Sequence, residues 1–244
     1  MDKKTIYYPE SAFGGFTDID GTVVFYNRVN SLITAKSVIL DIGCGRGCYT
    51  EDDVQIRRDL RILRGKGKKV IGIDVDDGAA SNPYVDEFHL LQGRQWPMED
   101  DSVDLCLCDC VLEHVENPGI FFSEARRVIR SGGCICIRTP NIFGYVGLLA
   151  KLIPNSLHMA VLRKAQKGRK DLDVFPAFYN CNSISLLRKT LNKFGFECAV
   201  YGYESEPGYL RFSDFAYHLG AWYQHFAPGF IRNEIFAFGR IKKA

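Results

Sequence analysis

The strongest constraint on the fold is a glycine-rich turn between a short apolar run and a helical segment. The apolar run VILDI covers residues 38–42, and the glycines follow at Gly43, Gly45 and Gly47. Glycine lets the backbone turn sharply and lets a ligand approach it closely. A helix that starts after such a turn presents unpaired N–H groups to that ligand. The pattern predicts a buried strand, a ligand-binding loop and a helix, in the manner of a parallel α/β sheet.

The same alternation of strands and helices continues along the chain. We predict further strands at 70–74, 88–92, 103–109, 134–138, 196–201 and 235–239, and helices at 22–34, 49–64, 124–130 and 183–194. Gly132 and Gly133 are expected to close the third of these helices as a C-cap. Short strands that alternate with helices favour a parallel sheet with helices on both faces.

Composition narrows the class of protein. The chain has 244 residues, 46% of them hydrophobic, which suits one large α/β domain. A net charge of +2 gives no sign of a nucleic-acid partner. No apolar run reaches the roughly 18 residues of a transmembrane helix, so we expect no membrane span. Oligomeric state cannot be read from these features.

The cysteines indicate a reducing compartment. There are nine, an odd number, and none form a C-x-x-C pair, unlike the disulfide framework of a small secreted domain. We therefore expect a cytoplasmic protein. Cys106, Cys108 and Cys110 repeat with period two, as do Cys134 and Cys136, which predicts small core residues on one face of a strand. A metal site is disfavoured, because no His/Cys ligand spacing accompanies them.

Two acidic residues indicate the kind of ligand. Asp41 lies two residues before Gly43, where a carboxylate would repel a pyrophosphate but attract a cation. Cys48 stands where a dinucleotide fingerprint needs its third glycine, which also disfavours an NAD-dependent oxidoreductase. Asp74 ends the second strand, where it can accept hydrogen bonds from ribose hydroxyls. A ribose and a cation without phosphate describe S-adenosylmethionine.

At this point the chain resembles the class I S-adenosylmethionine-dependent methyltransferases, within a broad bacterial group that has an L-E-H-V segment. The likeness covers roughly residues 36–140 and rests on five segments in the family's order: VILDIGCGRG (38–47), VIGID (70–74), WPMEDDSVD (96–104), CVLEHV (110–115) and EARRVIRSGG (124–133). It implies a Rossmann-like, doubly wound, seven-stranded α/β sheet, mostly parallel with an antiparallel last strand.

We expect a single methyltransferase domain over residues 1–244. Residues 1–35 would form an N-terminal lead-in and helix, and 36–140 the cofactor-binding core. Two lid insertions would lie at 141–182 and 205–232.

The resemblance also implies roles for individual residues. Asp41 and the three loop glycines, Gly43, Gly45 and Gly47, would hold the methionine end of the cofactor, and Asp74 its ribose. The adenine would lie beside Val75, Gln92 and Gly93, although relatives often have an acidic residue where this chain has Gln92. Asp109 and Cys110 would lie beside the sulfonium and the acceptor.

The acceptor side is less defined. His114 is either a general base or a brace for its loop, and Asp109 is a second candidate base. We expect acceptor contacts from Asn141, Tyr145 and Tyr179. The basic run 163–170 is either a solvated face or a site for an anionic acceptor. The aromatic segment 209–230 is either lid core or a lipid-facing surface.

The functional hypothesis is methyl transfer from S-adenosylmethionine to a small-molecule or glycan acceptor, with oxygen slightly preferred as the acceptor atom. One alternative is lipid or quinone methylation at a membrane surface. Another is a non-catalytic protein that binds the cofactor, which the intact Asp41, loop glycines and Asp74 argue against.

Overall fold

A seven-stranded sheet forms the centre of the computed structural model, which describes residues 3–152 and 175–242. Its strand order is β3-β2-β1-β4-β5-β7-β6. The strands are β1 Val38–Ile42, β2 Lys69–Asp74, β3 Glu87–Leu90, β4 Val103–Asp109, β5 Ile129–Pro140, β6 Phe196–Tyr203 and β7 Glu234–Ile241. Neighbouring strands run parallel except that β7 pairs antiparallel with both β5 and β6. The expected sheet, with its antiparallel last strand, is confirmed.

Helices cover both faces of this sheet. The α-helices of the described residues are α1 Lys3–Tyr7, α2 Gly21–Ser31, α3 Gln55–Arg61, α4 Pro118–Val128, α5 Tyr145–Leu152, α6 Ile184–Lys193 and α7 Asp214–Phe226. Residues of α4 and α6 pack in one buried apolar cluster, and residues of α2 pack in another on the opposite face. Alternate residues of β4 enter the two clusters, because successive strand side chains point to opposite faces.

The strand cysteines are buried core residues with one exception. Cys106 and Cys108 lie in the cluster with α4, whereas Cys134 and Cys136 lie in the cluster with α2. Cys110 is exposed and has a positive φ of 57°, because the chain has left β4 at this point and turns at the end of the sheet. The expectation that Cys110 shares the core face of Cys106 and Cys108 is wrong.

The boundary between α4 and β5 differs from the sequence prediction. The helix begins at Pro118, after Asn117 accepts a hydrogen bond from the Ile120 N–H (3.2 Å), and it ends at Val128. Ile129 is fully buried and opens β5 opposite Val103. Gly132 and Gly133 therefore lie inside a strand and do not cap a helix. A Cβ on Gly133 would lie 3.0 Å from the Asp104 carbonyl oxygen, so the glycine permits a close strand approach.

The other helix predictions differ mainly in length. The segment expected at 49–64 is a 3-10 turn, Cys48–Glu51, followed by the short helix α3. The helix expected at 183–194 is α6, which has Ser183 as its N-cap and is followed by Gly195 at φ +82°. The basic run 163–170 lies outside the described residues.

The aromatic segment 209–230 contributes to both core and surface. Its helix α7 buries Tyr217 against the domain, yet Phe215 and Phe226 remain 72% and 67% exposed. The expectation of lid core thus holds for only one face of α7. Within residues 3–152 and 175–242, no helix combines the length and apolar character needed to cross a bilayer.

Candidate functional site

Three carboxylates meet at one edge of the sheet. Asp41, Asp74 and Asp109 belong to β1, β2 and β4, which are adjacent parallel strands, so their carboxyl ends lie side by side. All three line a cavity of about 1410 Å³, together with the glycine loop and residues that follow β4. A crevice at the carboxyl ends of strands is the usual ligand site of an open α/β sheet.

The glycine loop forms the floor of this cavity. The Gly43 N–H donates to the Ile73 carbonyl (2.7 Å), which ties the loop to β2. A Cβ on Gly43 would lie 2.4 Å from a methyl carbon of Val111. A larger residue at this position would therefore push the glycine loop away from the segment that follows β4. Gly45 has φ +52°, and a Cβ on it would meet nothing within 4 Å. The backbone at Gly45 is therefore open to a ligand.

Asp74 links the loop to the end of β2. Its two carboxylate oxygens accept hydrogen bonds from the N–H groups of Gly45 and Asp76, both at 2.9 Å. The side chain is buried and fixed, and each oxygen keeps a second lone pair for a ligand hydroxyl. Val75 follows directly, lines the cavity and is 62% exposed, so it offers an apolar surface beside the carboxylate.

Asp41 has no hydrogen-bond donor among the residues that the structure describes. Burial, together with the nearby negative charges of Asp109 and Asp74, raises the pKa of its carboxyl to about 7. A carboxylate in this position is costly to ionise by itself. A ligand cation would supply the missing charge and donor, so Asp41 favours a positively charged ligand.

Asp109 is in the opposite electrostatic state. Arg138 on β5 donates to both of its oxygens (2.6 and 2.8 Å), and the Tyr26 hydroxyl donates to one of them (2.8 Å). Burial opposes ionisation, but the Arg138 guanidinium outweighs it and lowers the pKa of Asp109 to about 2. Such a carboxylate holds a charge and accepts a proton poorly.

Tyr26, Arg61 and Arg138 are site residues that the sequence analysis missed. Tyr26 and Arg61 line the cavity, from α2 and from the end of α3. Arg138 is the charged residue in the otherwise apolar run CICIR at 134–138, and it stands beside Asp109 in the strand register. That isolated charge is the signal that could have predicted a buried ion pair.

Comparison with known proteins indicates which kind of domain contains this site. Residues 40–137 match a family model described as a methyltransferase domain. The chain is 32% identical over 125 residues to a probable S-adenosylmethionine-dependent methyltransferase of Mycolicibacterium smegmatis, covering 48% of this chain and 43% of the relative. It is 26% identical over 154 residues to a ubiquinone biosynthesis O-methyltransferase of Nitrosomonas europaea, covering 54% of this chain and 60% of that protein.

A solved structure extends the likeness in fold. A SAM-dependent methyltransferase from Archaeoglobus fulgidus superimposes with a TM-score of 0.56 at 16% identity, over 95% of this chain and 97% of that one. Residues 40–137 therefore form a methyltransferase domain of the S-adenosylmethionine-dependent kind. The sequence matches span less than two thirds of either curated relative.

The match to a methyltransferase domain implies S-adenosylmethionine as the cofactor, and the residues of this domain fit it. The unpaired Asp41 carboxylate suits a ligand with a positive charge. The open backbone at Gly45 and the fixed Asp74 beside the exposed Val75 suit a nucleoside. Phosphate-binding chemistry fits less well, because three carboxylates converge at this edge of the sheet.

The methyltransferase domain places His114 just past β4, in a short 3-10 turn. Its Nδ1 lies 2.8 Å from the Pro176 carbonyl oxygen. A carbonyl only accepts, so Nδ1 donates, and in the neutral ring Nε2 carries the lone pair. His114 therefore braces the 175–178 segment while keeping a proton acceptor, and it lines the cavity together with Phe175 and Phe178.

Of the other residues predicted for the cofactor site, Cys110 and Gly93 line the cavity, whereas Gln92 does not. Gln92 borders a separate cavity of about 440 Å³ formed with residues 95–99. The chain turns at Gly93, which has φ +93° and directly follows Gln92.

The predicted acceptor residues lie outside the cavity wall. Asn141 is buried, and its amide donates to the carbonyls of Phe230 and Arg232 (2.9 and 2.7 Å). These hydrogen bonds hold the segment that precedes β7 next to the end of β5. Tyr145 packs edge-on against Tyr223 with ring centroids 5.3 Å apart. Tyr179 donates its backbone N–H to the Glu113 carbonyl (3.1 Å). None of these three predicted residues lines the cavity.

Proposed function

We propose that the protein transfers a methyl group from S-adenosylmethionine to a small-molecule acceptor, with oxygen as the preferred acceptor atom. The observation that carries this proposal is the Asp41 carboxylate, which lines the cavity beside the glycine loop and has no hydrogen-bond donor among the described residues. Because the sequence matches cover only part of the curated relatives, the activity is a proposal about the whole protein.

The cofactor-binding assignment follows the strand ends. Asp41 and the open backbone at Gly45 would hold the methionine end, with Gly43 and Gly47 shaping the loop. Asp74 would accept hydrogen bonds from the ribose hydroxyls, and Val75 and Gly93 would flank the adenine. The sulfonium supplies an electrophilic methyl group when the cofactor is bound.

The chain contributes orientation and proton transfer. Holding the acceptor in line with the methyl group lowers the activation free energy, by about 7–11 kcal/mol at best. His114 Nε2 is the proton acceptor that we assign to a hydroxyl substrate, because Asp109 with a pKa of about 2 is a weak base. Asp109 would stay ionised in the cofactor site, with its charge neutralised by Arg138.

The wall around His114 favours an acceptor with an apolar body. Phe175, Pro176 and Phe178 surround this part of the cavity. Stacked or edge-on aromatic contacts suit a flat ring better than a glycan, whose many hydroxyls would lose hydrogen bonds to water. An aromatic or otherwise apolar hydroxyl compound is therefore the acceptor class that we propose.

Two measurements test this function. Calorimetry should detect binding of S-adenosylmethionine and of its demethylated product, and absence of both would overturn the proposal. Labelled cofactor should then transfer its methyl group into a panel of phenolic and aliphatic hydroxyl compounds. Cofactor binding without any transfer, across the panel and across a metabolite extract, would favour the non-catalytic binding protein.

His114 gives the proposal a residue-level test. With the acceptor found in that panel, His114→Gln should lower turnover by roughly 100-fold, the effect of a lost general base, and leave product affinity unchanged. His89→Gln is the matched control, because His89 pairs with Glu87 on β3 and does not line the cavity. Equal turnover in wild type and His114→Gln would remove the base assignment.

A second candidate is methylation of a lipid or quinone at a membrane surface. Phe215, Leu219, Trp222 and Phe226 form an exposed apolar stripe along α7, and residues 215–231 contain no Asp, Glu, Lys or Arg. Membrane binding of a helix strengthens with the apolar area that it buries at the headgroup boundary, and this face offers such an area. The likeness to a ubiquinone biosynthesis O-methyltransferase supports a hydrophobic acceptor of this type.

Liposome flotation separates the two candidates. Binding to phosphatidylcholine and phosphatidylglycerol vesicles that is lost in Trp222→Ser/Phe226→Ser would favour the membrane candidate. Leu186→Ser is the control, since Leu186 is an exposed apolar residue on a different helix, α6. No flotation of the wild-type protein would favour a free small molecule.

A further inference from the structure

Arg61 is a cavity-lining cation without a hydrogen-bonded partner among the described residues. It ends α3, and its side chain is 22% exposed. Its guanidinium carbon lies 5.8 Å from the ring centroids of both Tyr26 and Tyr49. Its Nε is buried and makes no hydrogen bond. Leaving a charged donor unsatisfied costs free energy, which a ligand acceptor would recover.

Asp109 does not fill this role. The nearest Asp109 oxygen is 3.9 Å from Arg61, which is longer than a hydrogen bond. Both Asp109 oxygens already accept hydrogen bonds from Arg138, and one also accepts from Tyr26. Arg61 therefore adds a second positive charge to a carboxylate that is already paired, and its donors remain available to the cavity.

The two tyrosines connect Arg61 to the proposed cofactor site. The charges of Asp41 and Arg61 both act on the hydroxyls of Tyr26 and Tyr49. A group that is negative at one end and positive at the other would satisfy Arg61 and Asp41 together. An amino acid has this character, with a carboxylate for the guanidinium fork and an ammonium for the unpaired acid.

We infer that Arg61 is the carboxylate-binding residue of the cavity. This inference rests on the proposed function and assigns a residue to the carboxylate of the bound molecule. The carboxylate has two sources: the amino-acid end of the cofactor, or a carboxyl group on the acceptor. Arg61 and Asp41 line the same cavity as Tyr26 and Tyr49, and Arg61 contacts both tyrosine rings, which favours the cofactor.

Calorimetry with three nucleosides tests the cofactor source. The probes are S-adenosylhomocysteine, its decarboxylated analogue and 5′-methylthioadenosine, each titrated into wild type, Arg61→Gln and Arg61→Lys. We expect S-adenosylhomocysteine to lose roughly 30-fold in affinity in Arg61→Gln, as for a lost charge-assisted pair, and less in Arg61→Lys. The decarboxylated analogue and 5′-methylthioadenosine should bind all three proteins equally. Arg64→Gln is the control, because Arg64 pairs with Asp86 outside the cavity.

A second set of titrations tests the acceptor source. Protein saturated with S-adenosylhomocysteine is titrated with 4-hydroxybenzoate and with the neutral 4-hydroxybenzamide. Weaker binding of the benzoate alone in Arg61→Gln supports the inference with the acceptor as the source. Carboxylate binding that is independent of Arg61 in both sets overturns the inference. Failure of wild type to bind any nucleoside, 5′-methylthioadenosine included, instead overturns the proposed function.

Discussion

Asp41 and Asp109 lie at the carboxyl ends of neighbouring strands, yet they are in opposite electrostatic states. Burial and two nearby carboxylates raise the pKa of Asp41 to about 7. Asp109 is also buried, but Arg138 lowers its pKa to about 2. Burial is common to both sites, so the difference is the counter-ion. The protein neutralises one carboxylate itself and leaves the other to a ligand.

Removing Arg138 should have the largest effect on this contrast. Arg138→Met leaves the Asp109 charge buried without its partner, which should lower the free energy of unfolding by about 3–5 kcal/mol. Urea denaturation at pH 8 measures this loss. The double variant Arg138→Met/Asp109→Asn should recover much of it, since no buried charge remains. Equal midpoints for wild type and Arg138→Met would contradict the comparison.

Asp41→Asn should change cofactor affinity and protein stability in opposite directions. The amide keeps the shape but loses the charge, so affinity for S-adenosylmethionine should fall by roughly 50-fold, as for a lost charge-assisted hydrogen bond. The ligand-free protein should become more stable at pH 8 by about 2 kcal/mol, because a costly buried charge is removed. Calorimetry and denaturation measure the two effects. Asp77→Asn, an exposed change outside the cavity, should alter neither.

The pH dependence of cofactor affinity should follow the ionisation of Asp41. With a ligand-free pKa of about 7, the fraction ionised falls roughly tenfold between pH 8 and pH 6, and affinity should fall with it. The stability advantage of Asp41→Asn should shrink over the same range. The raised pKa of Asp41 stabilises the fold at low pH, and this contribution is lost as pH rises through about 7. A flat affinity profile in wild type would remove Asp41 as the cation-binding group.

Tyr26→Phe should have the smallest effect on the environment of Asp109. It removes one hydrogen bond to Asp109 and keeps the ring, so unfolding should become easier by about 1 kcal/mol. Arg138 remains, and Asp109 should stay ionised at neutral pH. Thermal unfolding measures the change. A loss as large as that in Arg138→Met would mean that Tyr26, and not Arg138, dominates the Asp109 environment.

The sequence predicted the parts of the fold that depend on local pattern. The strands at 38–42 and 103–109 have the predicted bounds. The end of α4 was not predictable, because Ile129 to Gly133 satisfy a helix C-cap pattern as well as a strand that pairs with β4. Only the register with Val103 decides between them.

Local sequence pattern carries least information about the acceptor side. Asn141 and Tyr145 were expected to contact the acceptor, but they serve contacts with residues 223–232, which lie far along the chain. His114 reaches the cavity because its turn follows β4 directly. Its Pro176 partner is 62 residues away, a contact that no local pattern encodes.

The order of motifs in the sequence determined the sheet, the glycine loop and the acids at its edge, because these follow from strand periodicity and from what glycine alone permits. Tertiary structure decided the electrostatic state of those acids. Arg138 is 29 residues from Asp109, and Arg61 reaches the cavity from α3. A carboxylate's pKa depends on which charges surround it in space, so Asp41 and Asp109 diverge only once β4 and β5 pair.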